Sequence, residues 1–130
     1  MVTFVADTHA LVWHLTAPRR LGSAARRAFA AADSGRWLCY VPAVVLVEVA
    51  LLHERGRLRV GTAQVAETLA SHAGYAVLAF DLVQTLEFAS LVGVKDPMDR
   101  LILAAARATA SRLVSSDETL QGRGVERVWD

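Results

Sequence analysis

The sequence predicts an α/β fold: a three-layer α/β/α sandwich around a central, mainly parallel sheet of four to five strands. Three observations predict it. Short apolar runs at 3–6, 37–41, 75–80 and 113–115 alternate with longer segments of helical periodicity, the pattern of successive right-handed βαβ units. These runs are apolar on both faces, as strands covered by helices on either side are. The first run ends in an aspartate, Asp7, and the carboxyl ends of parallel strands are where such sheets bind ligands.

Thr3-Phe4-Val5-Ala6 leads into Asp7 and a short helix from about Thr8 to Leu15, broken at Pro18 and Gly22. Residues 23–33 are alanine-rich and helical, with Ser23 as N-cap, and Asp33-Ser34-Gly35 turns into a second strand, Trp37 to Val41. Pro42 suits the first turn of a helix carrying Leu46, Glu48, Val49, Leu52 and His53 and ending at Gly56. That segment is rich in valine, yet its length of about fourteen residues exceeds a strand. A helix from Thr62 to about Ser71 opens on a capping-type pattern, Tyr75 to Phe80 forms a third strand, and a further helix starts at Asp81 or Thr85 and stops at Gly93. Pro97 opens a long helix reaching Ser111, with Leu101, Ile102, Ala105 and Ala108 on one face. Leu113-Val114-Ser115 is a short fourth strand ending at Asp117, and Val125 to Trp129 offers an edge strand.

A chain of 130 residues suits one domain, residues 1–130. Mean hydropathy is positive, +0.34. The longest uncharged apolar run, Leu38 to Val47, is still only half of the ~20 residues that span a bilayer. No basic, signal-like segment opens the chain, so a cytoplasmic protein without a membrane partner is expected. The one cysteine, Cys39, excludes an internal disulfide and a thiolate metal cluster, and its apolar surroundings predict a buried, inert thiol.

Net charge is only +1, but thirteen of the fourteen basic residues are arginine. Setting aside Asp7, Glu48, Asp96, Asp99 and Asp117 leaves eight acids against fourteen basic residues. Two readings stand: an acidic pocket within a basic surface that attracts phosphate, or ordinary solvated helix faces.

Four acids hold comparable positions. Asp7 follows strand one, Glu48 sits mid-helix after strand two, Asp99 lies in the first turn of the helix opened by Pro97, and Asp117 follows the last core strand. Convergence at one sheet edge would set like charges against each other, a conflict that a divalent cation resolves. Oxygen donors without His or Cys favour magnesium or manganese over zinc. Each aspartate also has a plainer role, Asp7 as helix cap, Asp99 as partner of the helix dipole and Asp117 as turn residue. Glu48 resists one, because Val44, Val45, Leu51 and Leu52 surround it with no ion-pair partner. Asp96 fits an N-cap with Pro97 at the first helical position, leaving Asp99 and Arg100 free to face the pocket.

At this point the chain resembles PIN domains, and among them the toxin ribonucleases of the VapC type. Val5-Ala6-Asp7-Thr8-His9-Ala10-Leu11-Val12-Trp13, Lys95-Asp96-Pro97-Met98-Asp99-Arg100-Leu101-Ile102-Leu103-Ala104 and Leu113-Val114-Ser115-Ser116-Asp117 carry the resemblance. It implies that Asp7, Glu48, Asp99 and Asp117 are the catalytic and metal-holding acids, with Thr8 near the metal and Ser115 where the family usually has threonine. Val45 stands where serine is frequent, and Met98 replaces a more usual phenylalanine. The implied activity is Mg²⁺- or Mn²⁺-dependent endoribonuclease chemistry on tRNA or rRNA, by the toxin of a type II toxin–antitoxin pair. A homodimer and a cognate antitoxin are the implied partners. Asp7 and Asp99 are the expected direct ligands, Glu48 and Asp117 acting through waters or a second ion; Asp96, Arg100, Thr8 and Ser115 are auxiliary candidates.

Two arginine clusters, Arg19, Arg20, Arg26 and Arg27, and Arg55, Arg57 and Arg59, are the expected phosphate contacts. His9 and His14, five apart, fit one helical face poorly, which argues against a metal pair; His9 reads as structural, facing pocket or solvent, and Trp13 is left open between burial and an exposed or interface position. Competing readings are a non-catalytic module for RNA binding or assembly, a metal-dependent DNA nuclease, and a haloacid-dehalogenase-like phosphatase. The last expects a second aspartate where His9 stands.

Overall fold

A computed structural model describes all of residues 1–130. Five strands, β1 (Thr3–Ala6), β2 (Leu38–Pro42), β3 (Tyr75–Leu78), β4 (Arg112–Val114) and β5 (Arg127–Val128), form one sheet in the order β3-β2-β1-β4-β5. Every pairing is parallel. Six helices connect and cover it: α1 (Thr8–Thr16), α2 (Ser23–Asp33), α3 (Ala43–Glu54), α4 (Thr62–Ala70), α5 (Leu82–Ser90) and α6 (Pro97–Ala108). The α/β class and parallel sheet expected from the alternating pattern are what the structure has.

The chain builds β1, β2 and β3 outward in one direction, then α5 and α6 carry it back to the other side of β1. The reversal leaves a switch point between the carboxyl ends of β1 and β4, where parallel sheets open a crevice. Asp7 and Asp117 follow these two strands.

Phe4, Val5, Val41, Leu113 and Val114 are fully buried strand residues, matching their two-sided apolar pattern. Phe29 of α2 meets Phe4 edge to face at 5.5 Å, and Trp37 meets it at 6.3 Å. Alanines Ala25, Ala28 and Ala32 on α2 and Ala104, Ala105 and Ala106 on α6 are buried, so backbone approaches backbone closely. At Gly74 this is extreme: a Cβ there would fall on the Ala32 carbonyl group.

Several boundaries differ from the sequence reading. Pro42 ends β2, paired with Leu78, and the helix starts after it. That same pairing stops β3 at Leu78, because the residues up to Phe80 have no further partner strand. Gly22 rather than Ser23 is the N-cap of α2, since a Cβ at that position would collide with the Trp129 carbonyl. α4 is likewise capped by Gly61, without a side-chain bond. α6 ends at Ala108; Thr109 Oγ1 donates back to the Ala105 carbonyl at 2.8 Å and Ala110 turns to φ +50°.

Thr62 Oγ1 donates instead to the Leu46 carbonyl at 2.9 Å, tying α4 to α3. Thr62→Val is expected to lower stability by about 1 kcal/mol, read as a lower urea midpoint at unchanged slope. His14 is structural: it stacks on Phe29 at 4.2 Å, and its Nε2 lies 3.3 Å from Asp33, which also accepts from the Tyr75 hydroxyl at 2.6 Å. Burial pushes the Cys39 thiol up, far from thiolate chemistry.

No helix is long and apolar enough to cross a membrane. Large apolar side chains nevertheless stand exposed on α3 (Val47, Leu51) and on α5 and its flanks (Leu82, Val83, Leu86, Val92).

Candidate active site

The crevice at the switch point gathers the acids. The Asp7 N–H donates to the Val114 carbonyl at 3.1 Å, carrying the β1–β4 ladder up to the site. Its Oδ1 accepts from the Ala10 N–H at 2.9 Å and caps α1. Asp117 behaves alike: its N–H donates to Ser115 Oγ at 3.1 Å, and its Oδ1 accepts from the Thr119 N–H at 2.9 Å and hydroxyl at 2.6 Å. Asp96 caps α6 by accepting from the Asp99 N–H at 3.0 Å, which places Asp99 in the first helical turn. Capping and facing the cleft are thus compatible roles, with caps fixing the backbones that present the carboxylates.

Asp7, Glu48, Asp96, Asp99 and Asp117 all line one cleft of about 440 Å³. Ile102 and Met98 supply apolar lining, and Thr8, His9, Trp13 and Ser116 complete it. The three ion pairs of the chain, His14–Asp33, Arg107–Glu87 and Arg112–Glu126, involve none of these acids. None of the five carboxylates is therefore ion-paired. Burial, then the charges of Asp96, Asp117, Asp7 and Glu48 in that order, raises the pKa of Asp99 to about 6. Burial is also the main cause raising Asp7, with Asp117 adding to it; the Ser115 hydroxyl, the Ala10 N–H and His9 pull the other way.

Residues 4–124 match the family model of the PIN domain. The chain belongs to the PIN-domain family. Within it, the sequence is of the VapC type: it is 30% identical over 134 residues to ribonuclease VapC22 of Mycobacterium tuberculosis, covering 99% of this chain and 100% of that protein. The fold agrees with solved structures. VapBC2 from Rickettsia felis, bound to a promoter DNA fragment, matches at TM-score 0.74 and 14% identity over 99% of this chain and 100% of that one. DNA-bound VapBC from Salmonella typhimurium matches at TM-score 0.68 and 15% identity, over 98% and 97% respectively.

In this PIN domain no group of three His, Cys, Asp or Glu side chains is drawn together closely enough to hold a metal ion. The donor chemistry fits one all the same. All the donors are hard carboxylate oxygens, burial together with the neighbouring carboxylates raises Asp99, and Thr8 Oγ1 is a buried hydroxyl in the cleft wall with no hydrogen-bond partner. Open spacing of this kind suits a hydrated cation that keeps several waters, as Mg²⁺ does.

The structure brings together Asp7, Glu48, Asp96, Asp99, Asp117 and Thr8, and sets Ser115 directly beneath them as a fully buried residue. It does not bring Arg100. One residue past Asp99 is about 100° round the helix, which turns Arg100 to α5, where its Nε donates to the Phe88 carbonyl at 2.8 Å and its guanidinium lies 4.2 Å from the Phe88 ring. The Arg100 side chain is thus held against α5 and is not among the residues lining the cleft. The arginines at 19, 26, 27, 55, 57 and 59 do not line the cleft either. His9 and Trp13 do; sequence reasoning set them aside, although their spacing of four after a capping Asp7 places them on one helical face.

Proposed function

We propose that this chain is a metal-dependent endoribonuclease, the toxin of a type II toxin–antitoxin pair, acting on tRNA or rRNA in the cytoplasm. The observation that carries the reading is the cleft itself: five carboxylates from four separate segments, unpaired, with Asp99 raised by burial and by the other four. Its sequence relative is a ribonuclease, and several structural neighbours are toxin–antitoxin complexes. An antitoxin segment and a second copy of the chain are the proposed partners, and the exposed apolar side chains of α3 and α5 are the surface that suits them.

Asp7 and Asp99 would hold Mg²⁺ or Mn²⁺ directly, with Glu48 and Asp117 engaging it through water. A bound divalent ion supplies neutralising charge at the scissile phosphate and a more acidic water. The chain's part is placement. The caps at Asp7, Asp96 and Asp117 fix the carboxylate backbones, Ser115 holds both Asp7 and the Asp117 N–H, and Glu48 reaches in from an otherwise apolar helix. Water is the nucleophile in this reading, since Cys39 and Ser115 are fully buried.

Incubation of total RNA with purified, antitoxin-free protein tests it. Discrete cleavage with Mg²⁺ or Mn²⁺, abolished by EDTA, is the expected result. RNA left intact by protein shown to bind Mn²⁺ would favour a non-catalytic binding module, and cleavage confined to DNA would move the substrate class.

A further inference from the structure

A second cavity, of about 370 Å³, opens where α2 meets the β4–β5 edge of the sheet and shares no residue with the cleft. Two of the chain's three tryptophans, Trp37 and Trp129, line it together with Arg27, Arg112 and Arg127. Most of its walls are held in place by the rest of the fold. Trp129 packs edge to face on Trp13 at 6.0 Å, and its carbonyl accepts from the Ala25 N–H at 3.0 Å. Arg112 Nε lies 3.2 Å from the Glu126 carboxylate, and its guanidinium stands 5.2 Å from the Trp37 ring centroid. Arg127 Nη1 donates to the Ser115 carbonyl at 2.9 Å and its Nε to Gln121 at 3.1 Å. Arg27 differs from both: it is exposed and takes part in none of the chain's three ion pairs.

A bare anion would use the guanidinium of Arg27 and gain nothing from the indoles. An uncharged aromatic ring would leave Arg27 idle. A nucleotide uses both. Its base stacks on an indole or on a guanidinium plane, and its phosphate accepts from a guanidinium fork. The Asp130 carboxylate also lines the cavity and is the kind of acceptor that a base amino group takes. The volume lies at the small end of ligand sites, about 300–1,000 Å³. Walls that are already braced lose little freedom on binding, so Arg27 is the one cation left to be ordered.

We propose that this cavity is a nucleotide site separate from the cleft, with a base on the walls made by Trp129 and by Arg112 over Trp37, and a phosphate on Arg27. The same chemical unit comes as a free nucleotide or as one nucleotide of an RNA strand. The site needs no metal ion, and it stands whether or not the carboxylate cleft cuts RNA.

Calorimetric titration of the full chain in EDTA with AMP, adenosine and inorganic phosphate tests it. AMP is expected to bind at least about tenfold more tightly than either half alone. Arg27→Ala should weaken AMP about tenfold and leave adenosine unaltered, and Arg27→Lys should recover part of the loss. Trp129→Leu should weaken AMP and adenosine alike, by about tenfold, and Trp129→Phe, which keeps a ring beside Trp13, should recover most of it. Arg26→Ala, one residue along and outside the cavity, should change nothing. A 5′-phosphorylated pentaribonucleotide added to the AMP complex identifies the source: displacement of AMP means an RNA strand, and no displacement a free nucleotide. No binding of AMP at millimolar concentration would overturn the site. So would phosphate alone binding as tightly as AMP, or Arg26→Ala and Arg27→Ala weakening AMP equally, since diffuse surface charge would then account for the binding.

Discussion

Asp99→Asn is expected to abolish RNA cleavage, by at least about 100-fold in kcat, while making the metal-free protein more stable. The two effects have one cause. Asp99 sits in the first turn of α6 with four other carboxylates acting on it, and its pKa is raised to about 6 from an ordinary 3.8. An acid with a raised folded-state pKa destabilises the fold when charged. The penalty is fully present above about 6 and is lost as pH falls from there towards 3.8. Asparagine removes the charge and keeps the N–H that Asp96 caps. Discounted for the solvent that screens this open cleft, the gain is about 1 kcal/mol, worth about 3–5 °C in Tm. The lost attraction to the α6 dipole opposes it by only about 0.3 kcal/mol at such an exposed helix end, so repulsion wins. Melting in EDTA should show the variant above wild type at pH 7.5, with the difference narrowing as pH falls through 6. A variant that melts lower at every pH would mean that Asp99 is not repelled by its neighbours, and the case for a cation would lose its electrostatic ground.

Gly74→Ala is expected to cost about 3 kcal/mol, a fall in Tm of about 10 °C, with activity per folded molecule unchanged. A methyl group at Gly74 meets the backbone of Ala32, not the yielding end of a side chain. Relief requires moving the last turn of α2 or the start of β3. The second would strain the bond from the Cys39 N–H to the Gly74 carbonyl, 2.8 Å, which opens the β2–β3 ladder. Thermal melts and a cleavage assay normalised to folded protein check both halves. An unaltered melt would show that α2 slides away from the sheet at no cost.

What could be read from the sequence was set by local pattern. Two-sided apolar runs identified β1, β2, β3 and β4, and the breaks after the first three each identified a helix. The acids were legible because a carboxylate such as Glu48, isolated among valines and leucines, has no surface reason to be there, and because Asp7 and Asp117 each close a strand. The misses share a different cause. Gly22 reads only as a helix break until Trp129 is known to lie against it, and nothing in the sequence marks Gly74 as the place where the end of α2 presses on the chain. Arg100 follows Asp99 in sequence and so reads as a neighbour in its pocket, but helical rotation sends it to Phe88. His9 and Trp13 gain meaning only beside carboxylates that arrive from distant segments. Except for Arg100, each miss depends on a contact between parts of the chain far apart in sequence.

The central place of β1 in the sheet has a consequence for how the molecule comes into being. Its register with β4 joins Phe4 to Arg112 and Ala6 to Val114, so β1 waits for a strand made much later before its second edge is covered. Such long-range closure makes for slow, late folding. Asp7 and Glu48 are translated well before Asp99 and Asp117. A product released by premature termination before β4 therefore carries an incomplete set of carboxylates, an unfinished sheet and no assembled cleft. On the proposed ribonuclease reading, the order of strands confines the hazard to molecules in which β4 has already been made.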